Sequence, residues 1–152
     1  STDGTTLGER SGYTDLPDGR RIPRSYGSMT YSMLKTYTLA GIPADDERVQ
    51  AVVKWLTENF SVTENPGADP NKPEKARYQG LFYYYMVMSQ ALDSAGIDKL
   101  GEIDWRKELQ GQLTKSQRED GSWLNERNGR WWESRPLMCT IYSMLALERA
   151  GR

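Results

Sequence analysis

The residue types able to do acid, base or nucleophilic chemistry in this chain are few, and their arrangement is informative. There is no histidine among the 152 residues and a single cysteine, Cys139. Ser-His-Asp and Cys-His catalysis are therefore excluded within the chain, as is every histidine-containing metal site. Carboxylates cluster once, at Asp45-Asp46-Glu47, which stands where a helix begins and where negative charge is favoured by the helix dipole. One thiol without a second soft ligand does not hold zinc, so the sequence predicts no catalytic residue, no metal and no cofactor. The remaining groups with binding chemistry are aromatic. Tyr31, Tyr84, Tyr85 and Tyr142 offer π-faces for an apolar or isoprenoid-like ligand, and Trp131-Trp132 between Arg130 and Arg135 forms a second candidate surface.

Those residues need elements to position them, and the periodicity supplies helices. Met29, Met33, Tyr37 and Ala40 share one face of a helix over about 28–40, stopped by Gly41. A second over 45–59 buries Val49, Val52, Val53 and Leu56. The loop 61–76 holds three prolines, and a third helix over 79–94 contains LFYYYMVM, apolar around most of its girth as an enclosed helix must be. Polar helix 105–116 turns Leu109 and Leu113 inward, and Pro136 opens a last helix over 136–150. Between them, 118–135 is predicted as a Gly-Asn-rich connection with a small hairpin at Asn128-Gly129.

Residues 1–24 have no periodicity and read as an extended lead-in, the tail of a preceding repeat. Domain 25–152 repeats: Ala-Gly pairs close helices at 40–41, 95–96 and 150–151, each 55 residues from the last, and YSML occurs at 31–34 and again at 142–145. Such a period belongs to stacked αα-hairpins. Asp3-Gly4, Leu7 and Glu9-Arg10 echo Asp120-Gly121, Leu124 and Glu126-Arg127. On this reading the chain is a C-terminal fragment of a longer protein, and the remainder of that protein or a second copy covers its open edge. Basic and acidic residues number 20 and 21, so no field recruits nucleic acid, and no apolar run is long enough to span a membrane. The sequence leaves the cellular compartment open.

The run LTKSQREDGSW places Leu113, Gln117, Gly121 and Trp123 in a fixed pattern. Asp120-Gly121 supplies a tight turn, the Gln117 amide can bond free carbonyls at the helix end, and Trp123 folds back onto the helix. This pattern resembles the QW repeat of the squalene cyclase and protein prenyltransferase β-subunit superfamily. GSMTYSMLKTYTLAG and QGLFYYYMV are also similar to bacterial prenyltransferase and squalene oxidase repeat proteins. The resemblance implies an all-α chain of about five helices in an α/α toroid, apolar helices inside and amphipathic ones outside. It does not extend to catalysis. The cyclases' Asp-x-Asp-Asp acid is absent, and Cys139-Thr140-Ile141-Tyr142 carries Cys where the prenyltransferases' zinc-binding His would stand. The Gly-Cys-Gly-Glu-Gln motif of complement-like thioester domains is missing too. The leading expectation is a non-catalytic scaffold or ligand-binding segment. The alternative is half of a terpene cyclase-like or prenyltransferase-like enzyme whose acid or metal lies outside this chain.

Overall fold

A computed structural model describes residues 12–152. The echo at Asp3-Gly4, Leu7 and Glu9-Arg10 lies outside the described residues. Five α-helices are found among them: α1 (Gly27–Leu39), α2 (Glu47–Glu58), α3 (Leu81–Ser94), α4 (Trp105–Ser116) and α5 (Pro136–Ala150). The chain is mostly helical, and its boundaries fall within about two residues of those the periodicity predicts.

Part of the extended lead-in pairs with itself. Strands β1 (Tyr13–Asp15) and β2 (Arg21–Pro23) pair antiparallel, Thr14 opposite Ile22. Pro17-Asp18-Gly19 makes the turn, with Gly19 at φ +81° and its amide on the Leu16 carbonyl at 2.9 Å. Pro at the second turn position and a left-handed Gly at its end are the residues such a turn requires. The connection before α5 departs from the sequence reading. No strand pair forms at Asn128-Gly129; Gly129 has φ −80°, and the chain turns through Arg130–Trp132 with left-handed backbone at both tryptophans instead.

The helices sort into two layers. α3 packs most extensively on α5 and α1, while α2 lies on α1 and α4 on α5. Tyr31 meets Tyr84 and Lys35 meets Gln90 along the first joint, near the starts and then the ends of both helices. Tyr83 meets Tyr142 and Asp93 meets Arg149 along the second. Contacts that march in step this way require α1, α3 and α5 to run parallel. Consecutive helices therefore alternate between the layers, as in stacked αα-hairpins.

Local chemistry sets the ends. Ile42 donates its amide to Tyr37 and Gly41 to Thr38; Ile97 and Gly96 repeat the pattern on Leu92 and Asp93. These are Schellman caps, and Gly41 (φ +70°) and Gly96 (φ +65°) occupy the left-handed position each demands. α2 and α4 begin on Asp46 and Asp104, whose carboxylates accept the Arg48 and Lys107 amides. The Asp45-Asp46-Glu47 cluster thus acts as a helix cap, and the Arg48 guanidinium pulls the Asp46 carboxyl down to about 2. The core is centred on α3, where Tyr84, Met88, Ala91 and Leu92 are wholly buried, with Trp105, Leu109 and Leu113 of α4 also inside. No helix among the described residues is long and apolar enough to cross a membrane.

Candidate functional site

The chain from Gln117 to Arg135 carries most of the residues that sequence reasoning singles out. Its first part is the Gln117–Trp123 clasp. Trp123 is 5 % exposed and its indole Nε1 donates to the Leu113 carbonyl at 2.9 Å. Gln117 is exposed, and its Nε2 donates to the Gly121 carbonyl at 2.9 Å. The roles are exchanged relative to the sequence expectation. The indole takes the helix-end carbonyl, and the amide braces the turn, where Gly121 sits at φ +79°. Asp120 accepts from the Ser122 amide and hydroxyl, which holds its carboxyl below the usual carboxylate range.

The second part is a buried carboxylate that the sequence does not flag. Glu133 is 0 % exposed. Its Oε1 accepts the Tyr83 amide at 2.9 Å and its Oε2 accepts Asn125 Nδ2 at 2.6 Å, with the Leu81 and Phe82 amides also turned to it. It thereby caps the N-terminus of α3, a helix with no side-chain cap of its own. Its backbone carbonyl accepts the Asn125 amide and the Cys139 thiol. Burial pushes the Glu133 carboxyl above its ordinary range, against the pull of these hydrogen bonds. Burial likewise pushes the Cys139 thiol up to about 12, with the nearby Glu133 charge adding to it. Cys139 is wholly buried and held as a thiol, which is the unreactive form. No group of three metal-ligating side chains occurs among the described residues.

Immediately before Glu133, Trp131 and Trp132 both take left-handed backbone, φ +62° and +67°. Two consecutive bulky residues there are strained, at a cost of order 1–3 kcal/mol each. The conformation lets the chain drop Glu133 into the interior while both indoles stay out, 51 % and 65 % exposed. Arg130 lies 5.0 Å from the Trp131 ring and Arg135 lies 4.9 Å from the Trp132 ring. Oriented to face its donors, the Gln79 amide oxygen accepts Trp131 Nε1 at 2.8 Å and Arg130 Nε at 3.2 Å.

The tyrosines divide. Tyr31, Tyr84 and Tyr85 are enclosed in the core, at most 1 % exposed, and offer no face to a ligand from solution. The Tyr84 and Tyr85 hydroxyls donate to the Ser61 and Val62 carbonyls, tying the proline-rich loop to α3. Among the described residues, the buried Tyr31 hydroxyl has no hydrogen-bond partner at bonding distance. Tyr142 is half-buried and stands edge-on to the exposed Tyr83, ring centres 5.9 Å apart. Of the aromatic candidates, only Tyr142, Trp131 and Trp132 face solvent. Elsewhere, a cleft of about 330 Å³ opens between the hairpin and α2, lined by Ile22, Arg24, Trp55 and Asn59 among others. Comparisons of the chain with protein-family models, curated proteins and solved structures find no match.

Proposed function

We propose that residues 25–152 form part of an α/α toroid-type stack of αα-hairpins, a non-catalytic scaffold or ligand-binding segment of a larger protein. The observation that carries this reading is the fate of the reactive groups. The buried carboxylate caps a helix, the thiol is sealed and two core tyrosines bond backbone, while Trp131 and Trp132 stay exposed. The parallel α1, α3 and α5 and the resemblance of Gln117–Trp123 to a QW repeat support the toroid arrangement. The binding surface is the strained Trp131–Trp132 pair, whose exposed indoles suit an apolar or isoprenoid-like chain. The alternative, half of a terpene cyclase-like or prenyltransferase-like enzyme, takes its acid or metal from outside this chain, and the one buried carboxyl among the described residues, Glu133, is not free to supply it. Both oxygens of that carboxyl are already engaged, which favours the first reading.

Titration with farnesol, followed by tryptophan fluorescence, tests the ligand-binding arm. The expected result is a saturable blue shift that disappears in Trp132→Ala, while Trp55→Phe retains it. No saturable change up to the solubility limit of farnesol removes the ligand and leaves a scaffold.

A further inference from the structure

Residues 129–134 form a loop that closes on itself before α5. The Ser134 amide donates to the Gly129 carbonyl at 3.2 Å, and a Cβ at Gly129 would stand 2.6 Å from Ser134 Cβ, so the two ends of the loop are in contact. Both flanks are fixed. Asn128 donates to the Lys75 carbonyl and to the Asn125 side-chain oxygen, and the Arg135 carbonyl accepts the Met138 and Cys139 amides at the start of α5. Pro136 has no amide to give, so the loop can swing at its base without opening a turn of that helix.

The loop is loaded from within and held from outside. Trp131 and Trp132 stand at φ +62° and +67°, where a residue with a Cβ is disfavoured. Their rings are more than half exposed, so burial of the indoles does not keep the backbone there. The restraint is Glu133, through the Tyr83 amide and Asn125 Nδ2, helped by Trp131 Nε1 on the Gln79 oxygen. Release of Glu133 returns its carboxyl to water and lets both tryptophans recover negative φ. Retention keeps the cap on α3.

We propose that residues 129–134 are a spring-loaded latch that opens as a local unit: Glu133 leaves the start of α3, Trp131 and Trp132 relax, and the helices stay folded. The closed form predominates, and the strain at the two tryptophans sets how often the open form is visited. Because the exposed indoles ride on the moving element, whatever binds them better with relaxed backbone shifts the population towards loss of the α3 cap. The inference concerns the chain itself and holds whether or not the indoles take a ligand.

Hydrogen–deuterium exchange at the Tyr83 amide, followed by NMR, reads the opening, because Glu133 Oε1 is the acceptor of that amide. The Met88 amide, in the middle of α3, is the reference for global unfolding. In wild type, Tyr83 exchange is expected to stay constant in low urea while Met88 exchange rises, since global unfolding exposes far more surface than a loop opening. Trp132→Gly and Trp132→Ala both remove an indole that is 65 % exposed, and they differ in whether left-handed backbone is costly. Tyr83 should exchange about fivefold or more slowly in Trp132→Gly than in Trp132→Ala. Without strain the order is reversed, because glycine widens the open ensemble. Tyr83 and Met88 exchange rising together in urea overturns the proposal, as the cap is then lost only with the whole fold. So does Tyr83 exchange that is equal in the two variants or faster in Trp132→Gly, which assigns it to fraying of the helix end without the loop.

Discussion

Replacing Glu133 removes a side chain that joins the N-terminus of α3 to the 118–135 connection. Glu133→Ala deletes the acceptor for the Tyr83 amide and for Asn125 Nδ2, and strips the carboxylate from above Leu81 and Phe82. Loss of a helix cap costs about 0.5–2 kcal/mol, and a buried donor left without a partner costs about 1–3 kcal/mol. Added to the void, and offset by no longer dehydrating a carboxyl, the net loss is about 3–5 kcal/mol. Urea unfolding followed by dichroism reads this as a lowered midpoint at unchanged slope. Glu133→Gln keeps the volume but sets an amide nitrogen against Asn125 or Tyr83, for a loss of about 1–3 kcal/mol. The pH dependence separates the carboxyl from a merely space-filling group. Because burial raises its folded pKa above the ordinary 4.5, the folded state holds the proton more tightly. That stabilisation is complete below about pH 4.5 and is lost as pH rises through the folded pKa. The penalty of Glu133→Gln relative to wild type should therefore be largest in acid and shrink towards neutrality. A Glu133→Ala protein within about 0.5 kcal/mol of wild type, the scatter of ordinary surface changes, would refute the capping role.

Two further outcomes follow from the same region. Trp123→Ala should cost about 3–5 kcal/mol, as expected for truncating a buried aromatic, whereas Trp123→Phe should lose about 1 kcal/mol for the bond to Leu113; thermal melts of both check the clasp. Cys139 should not react with a disulfide reagent in the folded protein at neutral pH and should react fully in denaturant, since it is buried and its thiol is pushed up to about 12. Rapid native labelling would show that the α5 N-terminus opens or that the thiol is not enclosed.

Much of the helical layout was written in short-range signals. Gly41 and Gly96 stop helices because a Schellman cap needs a left-handed residue there, and Ala-Gly-Ile occurs at both sites. Pro17-Asp18-Gly19 carried an equally local signal for the β1–β2 turn, passed over because the strands either side are three residues long and largely exposed. Asn128-Gly129 misled for the opposite reason. Its turn propensity was outweighed by the burial of Glu133, which required left-handed backbone at two tryptophans, a conformation no residue preference announces. Tyr31, Tyr84 and Tyr85 looked like ligand contacts by type, but neighbours distant in sequence cover them on every side.

The caps show why the site itself was harder to see than the helices. α2 and α4 begin on Asp46 and Asp104, whose carboxylates bond amides two and three residues ahead; a sequence displays such caps openly. α1 and α3 have no local side-chain cap. Each is capped instead from the loop that follows the next helix, α2 or α4. Asn65 accepts the Ser28 amide and donates to the Ser28 hydroxyl across 37 positions, and Glu133 accepts the Tyr83 amide across 50. Asn65 and Glu133 are both 0 % exposed and serve the same place in successive hairpins, yet share neither residue type nor flanking sequence. In both cases a residue of a later loop closes on the start of an earlier helix. The polar groups that look most reactive, a buried amide and a buried acid, are thereby engaged in capping helices from a distance.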